Sequence, residues 1–272
     1  MTPDFIGKII LITGATDGLG RGVAMALAQR GATLLVHGRD RARGEAVVAQ
    51  ALAAGSPGSR FYEADFATLA DVQRMADAIL ANEPRLDVLV NNASIIQDRR
   101  QESAGGHELT FQVNYLAGFF LTHRLLRLLK GSAPARIVNV ASAGQAPIDF
   151  NDVMLERRWS GWQAYCQSKL AQIMTTFDLA EDLAGTGVTV NALHPATLMP
   201  TKMVLGRFNV QSTLEDGVRN TVRLVADPSL SNVSGRYFDG DREARVHPQA
   251  YDRAARTRLR DLSRKLCGLV DP

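Results

Sequence analysis

Cysteine is scarce. Cys166 and Cys267 are the only two in 272 residues, too few for a disulfide framework, and they suit a reducing compartment. Neither has the CxxC or Cys/His spacing of a metal site, so no metal is expected. Long apolar runs are missing as well: stretches such as Ile9 to Ile12 fall far short of the ~20 residues a membrane-spanning helix needs. The short polar start, Met1-Thr2-Pro3-Asp4, does not read as a signal peptide. The expected setting is therefore cytoplasmic, with no membrane span. A strong charge of one sign is also lacking, and a net charge of +3 gives no argument for a nucleic-acid partner. The basic excess gathers near the end, where Arg253, Arg256, Arg258, Arg260, Arg264 and Lys265 read as a solvated helix face. Internal repeats and Pro/Gly/Ser-rich linkers are absent, so a single domain spanning 1–272 is expected.

What is present is an alternation. Short apolar runs (Ile9 to Ile12, Leu34 to Val36, Phe61-Tyr62, Val88 to Val90, Ile137 to Val140, Val188 to Leu193, Gly235 to Phe238) are separated mostly by segments of helical period. Runs without polar alternation are those of strands buried on both faces. The expected fold is α/β: a Rossmann-type, doubly wound, mostly parallel seven-stranded sheet with helices on both faces.

The first run leads into Thr13-Gly14-Ala15-Thr16-Asp17-Gly18-Leu19-Gly20 and then a helical stretch. Glycines in such a turn let the backbone approach a pyrophosphate, and the following helix offers free N–H groups and a positive dipole end. The end of the second strand selects the cofactor, because an acidic residue there suits NAD and a basic one the 2′-phosphate of NADP. The sequence reads His37-Gly38-Arg39-Asp40. Arg39 is assigned to the 2′-phosphate and Asp40 to the N-cap of the next helix; if Asp40 faced the ribose, the preference would reverse to NAD(H).

Tyr165 and Lys169 stand four apart in a helical stretch and so share a face. In order along the chain come Thr13-Gly14-x-x-x-Gly18-x-Gly20, Asp65, Asn91-Asn92-Ala93, Asn114, Ser142, Tyr165-x-x-x-Lys169 and His194-Pro195. With these markers the chain resembles a short-chain dehydrogenase/reductase over nearly its whole length. Ala164-Tyr165-Cys166-Gln167-Ser168-Lys169-Leu170-Ala171, Ile148-Asp149-Phe150-Asn151-Asp152 and Gly187-Val188-Thr189-Val190-Asn191 resemble its retinol dehydrogenase-like and WW-domain oxidoreductase-like branch.

The resemblance implies an NADP(H)-dependent oxidoreductase acting on CH–OH and C=O groups. Asn114, Ser142, Tyr165 and Lys169 would be catalytic, with Tyr165 as general acid/base. Gly14, Thr16, Asp17, Gly18, Leu19, Gly20, Arg39, Asp65, Asn91, Ala93, Tyr165, Lys169 and Pro195 would bind cofactor. Asp65 and Asn91 would lie along the adenosine, Lys169 on the nicotinamide ribose, and Asn114 would shape its helix and hold a water. A homo-oligomer is expected on the same analogy. The family's Asn-Asn-Ala-Gly is here Asn91-Asn92-Ala93-Ser94, its Pro-Gly is Pro195-Ala196, and Thr201 stands one residue later than the family's threonine, leaving its role open.

Substrate-binding loops are expected at about 143–162 and 196–216. Their apolar residues (Phe150, Met154, Leu155, Trp159 and Trp162; then Leu198, Met199, Met203, Val204, Leu205 and Phe208) suggest a lipophilic carbonyl or alcohol. The alternative is a catalytically silent NADP-binding sensor or scaffold of the same fold.

Overall fold

The computed structural model describes residues 4–269. Met1 to Pro3, part of the polar start, lie outside the described residues. Seven parallel strands form, β1 (Ile9–Ile12), β2 (Thr33–Gly38), β3 (Arg60–Glu63), β4 (Val88–Asn91), β5 (Ala135–Val140), β6 (Val188–His194) and β7 (Arg236–Asp239). An eighth, β8 (Arg242–Glu243), pairs antiparallel with β7 at the sheet edge. The order is β3-β2-β1-β4-β5-β6-β7-β8, so the winding reverses between β1 and β4. The expected seven strands thus become eight. The extra strand is two exposed polar residues after the turn at Gly240 (φ +61°), too short to leave a hydrophobic pattern.

Alternation along each strand sends side chains into two separate cores. Ile9 and Leu11 enter one with Leu89, Ile137 and Val190; Ile10 and Ile12 enter the other with Val90, Val138 and Leu193. The first core is covered by α3 (Leu69–Asn82), α5 (Ala117–Gly131), α6 (Gly161–Asp182) and α8 (Arg253–Leu266). The second is covered by α1 (Gly18–Ala28), α2 (Arg41–Ala53) and α7 (Leu214–Ala226). With both faces buried, β1 and β4 at the centre of the sheet have no exposed position left for polar alternation. Among the described residues, no helix is long and apolar enough to cross a membrane.

The C-terminal basic helix is only partly a solvated face. Arg256 and Arg260 turn inward to Asp178 and Glu181 of α6, with Arg260 Nη1 3.0 Å from Asp178 Oδ2. Arg258 lies over the Phe150 ring at 4.7 Å.

Candidate active site

The crevice at the β1/β4 reversal is where open α/β sheets place ligands. Gly14 has φ +64°, and a Cβ there would stand 2.9 Å from Ala93 Cα. A Cβ on Gly20 would fall 2.3 Å from Gly14 O and 2.5 Å from Asn92 Nδ2. The loop after β4 is bound to this turn: Asn92 Nδ2 donates to Thr13 O (2.7 Å), and the main-chain N–H groups of Asn92 and Ala93 donate to Thr13 Oγ1 (2.8 and 3.0 Å). Glycine and the asparagine loop therefore build one cradle with no room for side chains. Such a cradle fits a nucleotide diphosphate docked at the start of α1.

His37, on β2, completes it. Its Nδ1 accepts from Gly14 N–H (3.1 Å), so Nε2 carries the proton towards Ala64 O (3.1 Å). Burial pushes its pKa down to about 4, which keeps the ring neutral and this tautomer fixed. Phe66 stacks on it at 4.1 Å.

Thr16 packs against Gly38, where a Cβ would meet Thr16 Cγ2 at 2.5 Å. Asp17 caps α1 by accepting from Gly18 N–H at 2.8 Å. Arg39 is exposed just beyond β2, and Asp40 caps α2 through Arg43 N–H (3.0 Å), as the sequence suggested. A further arginine escaped the sequence reading. Arg43 reaches back to Thr16 O (3.3 Å) and Asp17 (2.8 Å), while Arg41 is occupied by Glu63 (2.7 Å). Alternating arginines at 39, 41 and 43 were visible, but which of them meets the turn depends on the angle between α2 and β1.

Asp65 accepts from Ala67 N–H (2.9 Å) in the loop after β3. The Asn91 Nδ2 donates to Thr122 Oγ1 of α5 (3.0 Å) and Asn139 Oδ1 of β5 (2.9 Å), while its buried Oδ1 has no hydrogen-bond partner among the described residues.

Ser142, Tyr165 and Lys169 converge beyond the ends of β5 and β6. Ser160 caps α6, and the helix then points Tyr165 and Lys169 back under β5. Lys169 is fully buried, and its Nζ donates to Val140 O (2.8 Å) and Gln172 Oε1 (3.0 Å). Nζ lies 5.6 Å from the Tyr165 ring centre. Burial pushes Lys169 down to about 7. Burial also pushes Tyr165 up to about 12, opposed by a hydrogen bond with Ser142. The Ser142 Oγ accepts from Gly144 N–H (3.0 Å), and its carbonyl is held by Tyr237 OH (3.0 Å) from β7. Gln172 and Tyr237 were not foreseen: Gln172 stands three residues from Lys169, where helical spacing could have found it, whereas Tyr237 meets Ser142 O from 95 positions away.

Asn114 lies in a π-helical turn, Gln112–Leu116, between α4 (Leu109–Phe111) and α5. Its amide accepts from Ile95 N–H (2.7 Å) and donates to Ile95 O (3.0 Å) and Ser168 Oγ (3.1 Å). One side chain thus ties the loop after β4 to the residue beside Lys169. π-Turns of this kind recur at functional sites.

Of the anticipated pocket residues, the structure brings Trp162 to Tyr165 and Phe208 to the Trp162 ring. The Trp162 ring stacks on Tyr165 at 5.7 Å and meets Phe208 at 5.8 Å. Phe150 and Met154 pack against the first core, Leu155 is buried, and Trp159 donates to Glu108 (3.2 Å). Thr201, despite its shifted position, reaches the cofactor turn, with Cγ2 3.4 Å from where a Gly18 Cβ would be. Pro195 O accepts from Asn220 Nδ2 (2.8 Å). Among the described residues, no cluster of three or more His, Cys, Asp or Glu could hold a metal.

A glycine cradle thus lies at the switch point, and a Ser–Tyr–Lys cluster stands one strand away. The sequence pattern of the short chain dehydrogenases matches residues 8–210, and the chain belongs to that family. It is 38% identical to retinol dehydrogenase 14 of Homo sapiens, over 97% of this chain and 87% of that protein. With retinol dehydrogenase 13 of Mus musculus it shares 37% identity, over 97% and 85%. Among solved structures, an uncharacterized protein from Mycobacterium paratuberculosis superimposes with a TM-score of 0.81 at 29% identity, covering 100% of this chain and 97% of that one. The Pseudomonas aeruginosa RhlG/NADP active-site complex gives 0.72 at 27% identity, covering 89% and 98%.

Proposed function

We propose that this chain is an NADP(H)-dependent oxidoreductase that transfers hydride between nicotinamide and a lipophilic carbonyl or alcohol. It would work as one domain with substrate loops at about 143–162 and 196–216. The observation that carries this reading is the convergence of Ser142, Tyr165 and Lys169, with Tyr165 bonded to Ser142 and the Lys169 Nζ 5.6 Å from its ring centre.

Bound nicotinamide supplies hydride to a carbonyl carbon or takes it from an alcohol. Everything else falls to side chains. In reduction, Tyr165 gives its phenolic proton to the substrate oxygen. Ser142 accepts a hydrogen bond from Gly144 N–H, and the proton it shares with Tyr165 would turn to the substrate oxygen and stabilise the charge growing there. In oxidation, Tyr165 must act as phenolate, for which a phenol near pH 12 is poorly suited alone. The Lys169 ammonium favours the phenolate by proximity. Asn114 positions this pair through Ser168 and the opposite wall through Ile95.

Because the Lys169 charge is partly lost above about pH 7, reductive kcat/KM is expected to fall as pH rises through that region. Gln172 accepts a hydrogen bond from the charged form, so Gln172→Leu should move this fall to lower pH, by up to about one unit. A pH profile unchanged in the variant would remove Gln172 from that role.

Arg39 and Arg43 support NADP(H) over NAD(H). Arg39→Ala is expected to weaken NADPH binding about tenfold with little change for NADH. Fluorescence titration with both nucleotides checks this, and equal losses would refute the assignment. A lipophilic substrate is supported by Trp162 and Phe208 around Tyr165, and by relatives named for retinol, itself a lipophilic alcohol. The decisive assay follows NADPH and NADH oxidation across lipophilic aldehydes and ketones and small polar sugars. Turnover confined to the sugars would overturn the substrate class.

A further inference from the structure

Ser142 lies beyond Val140, the last strand position of β5, and its main chain is held from the far side of β6. The Ser142 carbonyl accepts from two side chains, Tyr237 OH (3.0 Å) and Gln145 Nε2 (3.1 Å), which uses both of its lone pairs. Tyr237 stands on β7 in register with Ala192 of β6, and both side chains enter the first core. Ala192 carries only a methyl group, so the phenol can cross β6 and reach the end of β5. Burial pushes the Tyr237 phenol well up, so it stays protonated and remains a donor.

Gln145 is held in turn. Its Oε1 accepts from His247 N–H (2.8 Å). The Gln249 amide takes Ile148 as a neighbouring strand would, accepting from its N–H (2.7 Å) and donating to its carbonyl (3.0 Å). His247 and Gln249 belong to the segment that returns from β7, where Ala244 N–H donates to Tyr237 O (3.0 Å) and His247 Nδ1 accepts from Gln249 N–H (3.2 Å). One hairpin thus carries Tyr237 and both clamps on the 142–148 loop. Tyr237, His247 and Gln249 all lie outside residues 8–210, the part that the family pattern matches. The peptide these bonds fix leads from Ser142 towards Gly144, whose N–H holds the serine Oγ (3.0 Å). If that peptide turned, the N–H would leave Oγ, and the hydroxyl would lose the direction that brings it to Tyr165.

We propose that Tyr237 is a positioning residue: with Gln145 it fixes the carbonyl of Ser142, and through that carbonyl the direction in which the serine hydroxyl meets Tyr165 and the substrate oxygen. The aim of the serine is thereby set by the C-terminal hairpin and not by β5. A donor oriented before substrate arrives has no reorganisation left to make during the reaction. This inference rests on the proposed oxidoreductase function and adds to it the group that orients one of its catalytic residues.

The test is steady-state kinetics of Tyr237→Phe, Ser142→Ala and the double variant, with NADPH and the lipophilic aldehyde that the wild type reduces fastest. Tyr237→Phe keeps the ring in the core and removes one hydrogen bond, whose net worth corresponds to about tenfold in rate. kcat should fall by that factor, with KM and NADPH affinity within about twofold of wild type. In the Ser142→Ala background the same substitution should cost less than about twofold, because the hydroxyl it orients is gone. A phenol that merely supported the fold would cost the same in both backgrounds. Gln145→Leu, which removes the second donor, should behave like Tyr237→Phe in the same comparison. Independently of turnover, exchange of the Gly144 amide hydrogen, followed by NMR, should be faster in Tyr237→Phe than in the wild type. A kcat within about twofold of wild type, an equal loss in both backgrounds, or unchanged Gly144 exchange would overturn the proposal. A wild-type chain that reduces no carbonyl would instead remove the function on which it rests, while the Gly144 comparison would still read the contact.

Discussion

Tyr165→Phe is expected to lower kcat by about 10³-fold or more while nucleotide affinity stays within a few-fold of wild type. The substitution removes one oxygen and leaves the ring, so the stack with Trp162 survives, as do the Lys169 bonds to Val140 and Gln172. The loss would fall on the proton transfer and not on the fold. Thermal unfolding of the variant should match the wild type closely. Steady-state kinetics and nucleotide titration on the same preparation make the separation. A variant that keeps more than a tenth of wild-type turnover would exclude Tyr165 as the proton donor. A wild-type chain that binds NADPH but turns over nothing would favour the sensor.

Gly20→Ala should cost both stability and cofactor. Inside a helix alanine is ordinarily better than glycine by about 1 kcal/mol. Here its Cβ would sit 2.3 Å from Gly14 O and 2.5 Å from Asn92 Nδ2. Neither can yield freely: the Gly14 carbonyl accepts from Asn92 Nδ2, which also bonds Thr13 O. Forcing them apart is expected to cost about 2–3 kcal/mol, turning a propensity gain into a net loss. The net loss of about 1–2 kcal/mol should lower the melting temperature by roughly 2–8 °C. Because the shifted atoms belong to the proposed diphosphate cradle, NADPH affinity should fall by at least about tenfold. A variant with unchanged melting temperature and affinity would show that the turn is looser than its geometry indicates.

Seven of the eight strands among the described residues were legible as short apolar runs, because burial on both faces keeps polar side chains out of stretches such as Ile9 to Ile12. Tyr165 and Lys169 were legible because a helix turns helical spacing directly into shared direction. Asp40 as an N-cap was legible for the same local reason. Whether Phe150 and Met154 would wall a pocket or pack on the core was not legible, since an apolar side chain in a loop looks the same in either place; the structure packs both against the first core.

By itself, then, the sequence determined the layered α/β architecture, the glycine turn and the identities of the groups able to do chemistry, because each depends on spacing along one element or one turn. Tertiary structure alone decided which partners those groups have. Lys169 is tuned by burial under β5, Gly14 by a histidine 23 positions on, and Asp17 by a lysine from the far end of the chain. Such pairings follow from how helices cross a twisted sheet, and no local pattern of residues encodes that angle.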